Sequence, residues 1–154
     1  MALEIERKFR VTGTPWVSLP QGDLMRQGYL LASPERVVRV RVEGGQAQLT
    51  IKGAMQGIVR GEWEYAIPVI DANELLKLCE QPLIEKYRYR ISYEGSLWEL
   101  DVFIGANDGL VVAEIELETE TQSFKKPDWV GDEVTYDPRY LNSNLIHTPF
   151  TTWS

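Results

Sequence analysis

From Leu3 to Val11 the chain alternates between two unlike faces, with Leu3, Ile5, Phe9 and Val11 on one and Glu4, Glu6 and Lys8 on the other. A period of two marks a strand. Two carboxylates at i and i+2 stand about 7 Å apart on the same side of it. That is too far to share a proton comfortably, but it suits gripping a hard divalent cation from one side. A single such strand could be no more than a solvated outer face. The pattern recurs, however, along most of the chain, and the recurrence limits what the chain can fold into.

In order, the alternation predicts strands over 24–32, 35–43, 46–53, 60–69, 83–93, 97–104 and 110–120. Val38, Val40 and Val42 oppose Arg39 and Arg41, and Leu49 and Ile51 oppose Thr50 and Lys52. Trp63, Tyr65 and Ile67 face away from Arg60, Glu62 and Glu64. Tyr87, Tyr89 and Ile91 oppose Lys86, Arg88 and Arg90; Trp98, Leu100 and Val102 oppose Glu99 and Asp101. Val111, Ala113, Ile115 and Leu117 oppose Glu114, Glu116, Glu118 and Glu120. Gly44-Gly45 and Glu94-Gly95 are hairpin turns. One helix is predicted over 71–80, opened by Asp71 and Glu74 as a capping box and carrying an Ala72, Leu75, Leu76, Cys79 stripe, with Pro82 ending it. Residues 121–154 read as short helices and loops.

About eight antiparallel strands with short turns make a mainly β fold, read as a single domain over 1–154. Every apolar face must be buried, so the charged faces share the other side of the sheet. An open one-layer sheet would turn them to bulk water. A sheet closed on itself would line a hydrated tunnel with them, leaving the helix and the C-terminal tail to cover the apolar exterior. Residue types favour closure. Arg39 with Arg41, Lys86 with Arg88 and Arg90, Glu62 with Glu64, and Glu114 with Glu116 are same-sign neighbours, which repel unless opposite charge lies between them. Cross-strand pairing could supply that charge, and so could a ligand combining a polyvalent anion with cations.

Composition narrows the partners. Acids outnumber bases, 23 to 16, for a net charge of -7, so the chain as a whole repels nucleic acid and anionic membranes. No apolar run is long enough for a membrane span, and no basic-then-apolar leader opens the chain. The lone Cys79 fits a reducing, cytoplasmic setting. His147 lies in the irregular tail, and no Ser/His/Asp or Cys/His arrangement, zinc spacing or phosphate-cradling glycine loop is visible.

Glu4-Ile5-Glu6-Arg7-Lys8 resembles the ExExK motif of the CYTH superfamily, the triphosphate tunnel metalloenzymes. The features that follow keep that family's order: Gln27-Gly28-Tyr29-Leu30, Arg39-x-Arg41, Lys52, Glu62-x-Glu64, Lys86-x-Arg88, Asp101 and Glu114-x-Glu116, with Tyr136–Leu145 similar to the closing segment of short bacterial members. The resemblance implies a closed eight-stranded antiparallel barrel with a mid-chain helix and short C-terminal helices. It also implies that basic residues hold a triphosphate while acids hold Mg²⁺ or Mn²⁺. On it, Lys8, Arg39, Arg41, Lys52, Lys86 and Arg88 bind substrate. Arg139 joins from the tail, although Leu141 stands where some short members have a lysine. Arg can offer phosphate oxygens planar, bidentate N–H pairs, whereas Lys acts as a point charge. Glu4, Glu6, Glu114 and Glu116 are the leading metal ligands and, with Lys86, the catalytic set. Glu62, Glu64 and Asp101 are further ligands or groups that orient the bases.

The expected reaction is metal-dependent hydrolysis of inorganic triphosphate or of a small molecule bearing a triphosphate. Adenylyl cyclase or thiamine triphosphatase activity, and a non-catalytic polyphosphate- or nucleotide-binding module, are the alternatives. The expected partner is that small molecule; a homodimer stays open.

Overall fold

The structure, a computed structural model, describes residues 2–153. Eight antiparallel strands close into a barrel: β1 (Leu3–Val11), β2 (Asp23–Ala32), β3 (Arg36–Glu43), β4 (Gln46–Gly53), β5 (Val59–Ile67), β6 (Ile84–Tyr93), β7 (Ser96–Ile104) and β8 (Val111–Glu116). Hydrogen bonding runs β5-β4-β3-β2-β6-β7-β8-β1, and a β1–β5 pairing completes the circle. The expected closed architecture is the one observed.

Several parts of the chain depart from the expected elements. The last long strand stops at Glu116 rather than Glu120; Leu117 donates its amide to Ile5, and the chain then turns, with Gln122 capping the amide of Glu118. A short β9 (Val130–Glu133) was not expected at all, because four residues containing a glycine and two acids show no alternation. β9 takes the edge of β1 that β5 leaves free, where Gly131 lets the backbones approach: a Cβ there would lie 3.2 Å from the carbonyl oxygen of Arg10.

The helix α1 runs Val69–Leu78, two residues earlier than expected. Pro68 occupies the N-cap with φ -62°, so the start is set by its fixed dihedral and the Asp71–Glu74 capping box does not form. Cys79 falls just past the last turn and is buried. α1 lays Ala72 and Leu76 on the outer face of β2–β4, against Val40 and Val42. Gly28 makes that seating possible, since a Cβ there would come within 2.7 Å of Cys79 Cβ and 2.8 Å of Leu83 Cδ2. Gly28→Val is therefore expected to force helix and sheet apart at a cost of about 1–3 kcal/mol, measurable as a lowered thermal midpoint. A wild-type midpoint in that variant would show the contact to be slack.

On the opposite wall, Phe124 and Trp129 cover Phe9, Trp98 and Ile115 in an edge-to-face aromatic cluster. That part of the tail covers the exterior as expected, and the part beyond β9 does not. There Tyr140, Leu145 and Ile146 pack against Tyr29, Val37, Ile84, Phe103 and Val112, which project inward from their strands. Asn107 holds the tail there, donating to Leu145 O and accepting from the amide of Phe150. Apolar side chains thus fill one end of the barrel interior, and the wet part above them is a blind cavity. No described helix is long and apolar enough to cross a membrane.

Candidate active site

The cavity above this plug has a volume of about 430 Å³. Its wall carries Glu4, Glu6 and Lys8 from β1, Arg39 and Arg41 from β3, Lys52 from β4, Glu62 and Glu64 from β5, Arg88 from β6, and Glu114 and Glu116 from β8. The period-two pleat alone accounts for this convergence, because closure turns every charged face inward.

Strand register sets much of the charge pairing. Lys8 stands opposite Glu114, Lys52 opposite Glu62, Arg88 opposite Asp101 and Arg90 opposite Glu99. Lys52 Nζ lies 3.1 Å from Glu4 Oε1 and 3.3 Å from Glu62 Oε2. Arg60 Nε approaches Glu4 at 3.5 Å. Register also sets like against like: Glu6 faces Glu116, and Glu99 faces Glu114.

At the floor, Lys86 and Asp101 are fully buried. Asp101 accepts from Lys86 Nζ at 2.7 Å and from Arg88 Nε and Nη2 at 2.8 and 2.9 Å. Burial pushes the Asp101 carboxyl up, but Arg88 and Lys86 outweigh it and hold it below its usual range. Burial pulls Lys86 down to about 8, against Asp101 and with help from Arg88 and Arg41. Lys86 Nζ sits 5.3 Å from the Phe103 ring centroid and is absent from the cavity wall, as is Asp101. These two form a foundation that fixes Arg88 from below, and the structure does not bring them to the cavity surface. Arg139 is also apart: it is exposed, turned onto Asp137 at 2.7 Å and against the rings of Tyr140 and Trp153.

The anion-binding character lies in Arg39 and Arg41. Arg39 is buried; Nη2 donates to Thr50 Oγ1 at 3.2 Å, its nearest carboxylate Glu64 is 3.6 Å away, and its buried Nε has no partner. Arg41 donates to Gln27 Oε1 at 2.8 Å and makes no ion pair with a described residue. Burial, then Arg39 and Arg88 beside it, lower Arg41 to about 10. Guanidiniums crowded together with donors unused create a demand for a multiply charged anion.

The carboxylates meet in pairs. Glu6 neighbours Glu114; burial first, then Glu114 and Glu4, push Glu6 well above the usual range. Burial would raise Glu114 too, but Lys8 and Arg88 hold it well below. Glu62 rises to about 7, chiefly by burial and then by the Glu4 charge. Glu116 is exposed at the mouth and raised, by burial and then by Glu4. Among the described residues no three acids, histidines or cysteines converge on one point. Paired carboxyl groups are nevertheless the donor set a hard cation takes, displacing any proton they carry.

Gln27 and Arg60, which the sequence offers without a role in the site, also belong to it. Gln27 is fully buried and orients Arg41. The buried Arg60 Nε has no hydrogen-bond partner, though its own alternation with Glu62 and Glu64 placed it on the inner face.

A closed antiparallel barrel with a blind interior of unsatisfied guanidiniums beside paired carboxylates defines a polyanion-binding barrel able to take cations alongside the anion. The chain belongs to the CYTH domain family, which matches residues 2–146. It is 56% identical over 151 residues to the inorganic triphosphatase of Acetivibrio thermocellus, covering 97% of each chain. Over 150 residues it is 38% identical to the inorganic triphosphatase of Nitrosomonas europaea, covering 92% of this chain and 95% of that one. A crystal structure of an inorganic triphosphatase, 36% identical, superposes with a TM-score of 0.67 over 95% of both chains.

Proposed function

We propose that the chain hydrolyses inorganic triphosphate, binding it in the blind cavity with divalent cations. The observation that carries this reading is the group Arg39, Arg41 and Arg88, three buried or half-buried guanidiniums around one space, two of them short of counter-charge. The names of both close relatives support the same substrate.

Arg39 and Arg41 clamp phosphate oxygens with paired N–H groups, and Arg88, braced from below by Asp101, takes the phosphate nearest the floor. Lys8 and Lys52 place point charges along the chain of phosphates, with Arg60 beside them at the wall. Lys86 acts through Asp101 and Arg88 as a positioning residue. Glu4, Glu6, Glu114 and Glu116 hold the cation, Mg²⁺ or Mn²⁺, with Glu62 and Glu64 flanking them. Held there, the cation supplies Lewis-acid polarisation of the reacting phosphate and water. Arg139 is left outside the substrate contacts. The apolar floor leaves a long polyphosphate nowhere to thread through, and the cavity of about 430 Å³ has room for a short chain together with cations.

The test is phosphate release from tripolyphosphate, ATP and thiamine triphosphate with Mg²⁺, with Mn²⁺ and with EDTA. Tripolyphosphate is expected to be cleaved fastest and EDTA to abolish release. Binding without cleavage under every metal would replace the enzyme by a binding module, and cyclic AMP from ATP would replace it by a cyclase.

A further inference from the structure

The backbone of β5 alternates its hydrogen-bonding edges. Trp63, Tyr65 and Ile67 stand opposite Ile51, Leu49 and Ala47 of β4, whereas the amide of Glu62 points the other way and donates to Ala2 O at 3.1 Å. The same alternation turns the N–H and C=O groups of Glu64 and Ala66 to that outer edge. β1 covers the edge only beside residues 59–62, and no described residue continues the pairing. Residues 63–66 are all exposed, Trp63 by 38% and Tyr65 by 56%. Open edges are normally blunted by lysine, proline, a bulge or a covering segment. Residues 63–67 are Trp, Glu, Tyr, Ala and Ile, and they pair with β4 without a register shift.

We infer that a second copy of this chain docks on this edge, β5 against β5, antiparallel about a two-fold axis at Tyr65. The edge chooses its own register. With the axis at Tyr65, Glu64 of each copy exchanges two N–H···O=C bonds with Ala66 of the other, four bonds in all. The one charged residue of the segment then faces alanine, Tyr65 meets its own copy, and Trp63 meets Ile67 across the apolar outer face. Centring the axis on Glu64 would set two carboxylates face to face. Centring it on Ala66 would oppose Glu64 to Pro68, which has no N–H to give. Pairing stops at five residues, because Pro68 bounds one end and the Glu62 amide is already used at the other. So short a contact falls below the roughly 800 Å² per partner of a standard interface, which points to a reversible dimer.

Sedimentation velocity over a wide concentration range tests this, with thermal unfolding and tripolyphosphate turnover checking that each variant is folded. Wild-type protein is expected to shift from the 17.6 kDa chain mass toward twice that mass as concentration rises. Tyr65→Lys, which opposes two ammonium groups, and Ala66→Pro, which removes a donor that β4 does not use, are expected to stay at the single-chain mass. Directly opposed residues at a non-hydrogen-bonded antiparallel site lie about 4.5 Å apart at Cα, within disulfide reach. Oxidised Tyr65→Cys is therefore expected to form a covalent dimer, while Tyr93→Cys, exposed on another hairpin, does not; the native Cys79 is buried. A wild-type monomer at every concentration would overturn the proposal. So would a dimer untouched by Tyr65→Lys and Ala66→Pro, or Tyr93→Cys cross-linking as readily as Tyr65→Cys.

Discussion

Asp101→Ala is expected to be the most damaging single change in the barrel, lowering stability by about 3–5 kcal/mol. The buried carboxylate accepts three charge-assisted hydrogen bonds, one from Lys86 and two from Arg88. Removing it strands two cations where water cannot reach Lys86, and the loss is the cost of uncompensated charge rather than of the pair itself. A second measurement separates this from ordinary core damage. Arg88 reaches the cavity wall, so added tripolyphosphate can replace part of the missing charge. The anion is therefore expected to raise the thermal midpoint of the variant by more than it raises that of wild type. An unfolding midpoint close to wild type without ligand would mean that the floor is not an ionic foundation.

Glu6→Gln is expected to separate stability from activity. Glu6 and Glu114 are neighbouring carboxyl groups, and burial and the charge of Glu114 push Glu6 well above its usual range. Glutamine keeps the shape of Glu6 and removes one of several acids crowded together, so the ligand-free protein is expected to unfold at or above the wild-type midpoint. Turnover is expected to fall by more than about 100-fold, beyond what losing a merely supporting group near a cation costs. Loss of turnover together with a large drop in stability would make Glu6 structural. Wild-type turnover would remove it from the cation site.

How much of this was readable beforehand follows from what alternation can and cannot encode. It reports the face of a strand, so it places Arg39, Arg41, Glu62, Glu64, Arg88, Glu114 and Glu116 on one side of the sheet, and they line one interior. It is silent about depth. Lys86 and Arg88 carry the same signal, yet one lies under the floor and the other on the wall. The floor was hidden for a related reason. Val37, Ile84, Phe103 and Val112 share the charged faces of their strands, and only the inward turn of Tyr140, Leu145 and Ile146 shows why those positions are apolar. Local rules failed where a neighbour overrode them. Pro68 moved the helix start past a plausible capping pair, and β9 exists only because β1 offers an edge. Arg139 followed a sequence likeness in an irregular segment, where no periodicity could show which way it faces.

The central claim is that the guanidinium cluster and the paired carboxylates hold one ligand between them. Crystals soaked with tripolyphosphate and Mn²⁺ test it in a single measurement. Phosphate density against Arg39, Arg41 and Arg88, with anomalous manganese scattering beside Glu4, Glu6, Glu114 or Glu116, is the expected result. Phosphate bound outside the barrel, or manganese remote from all four carboxylates, would contradict it.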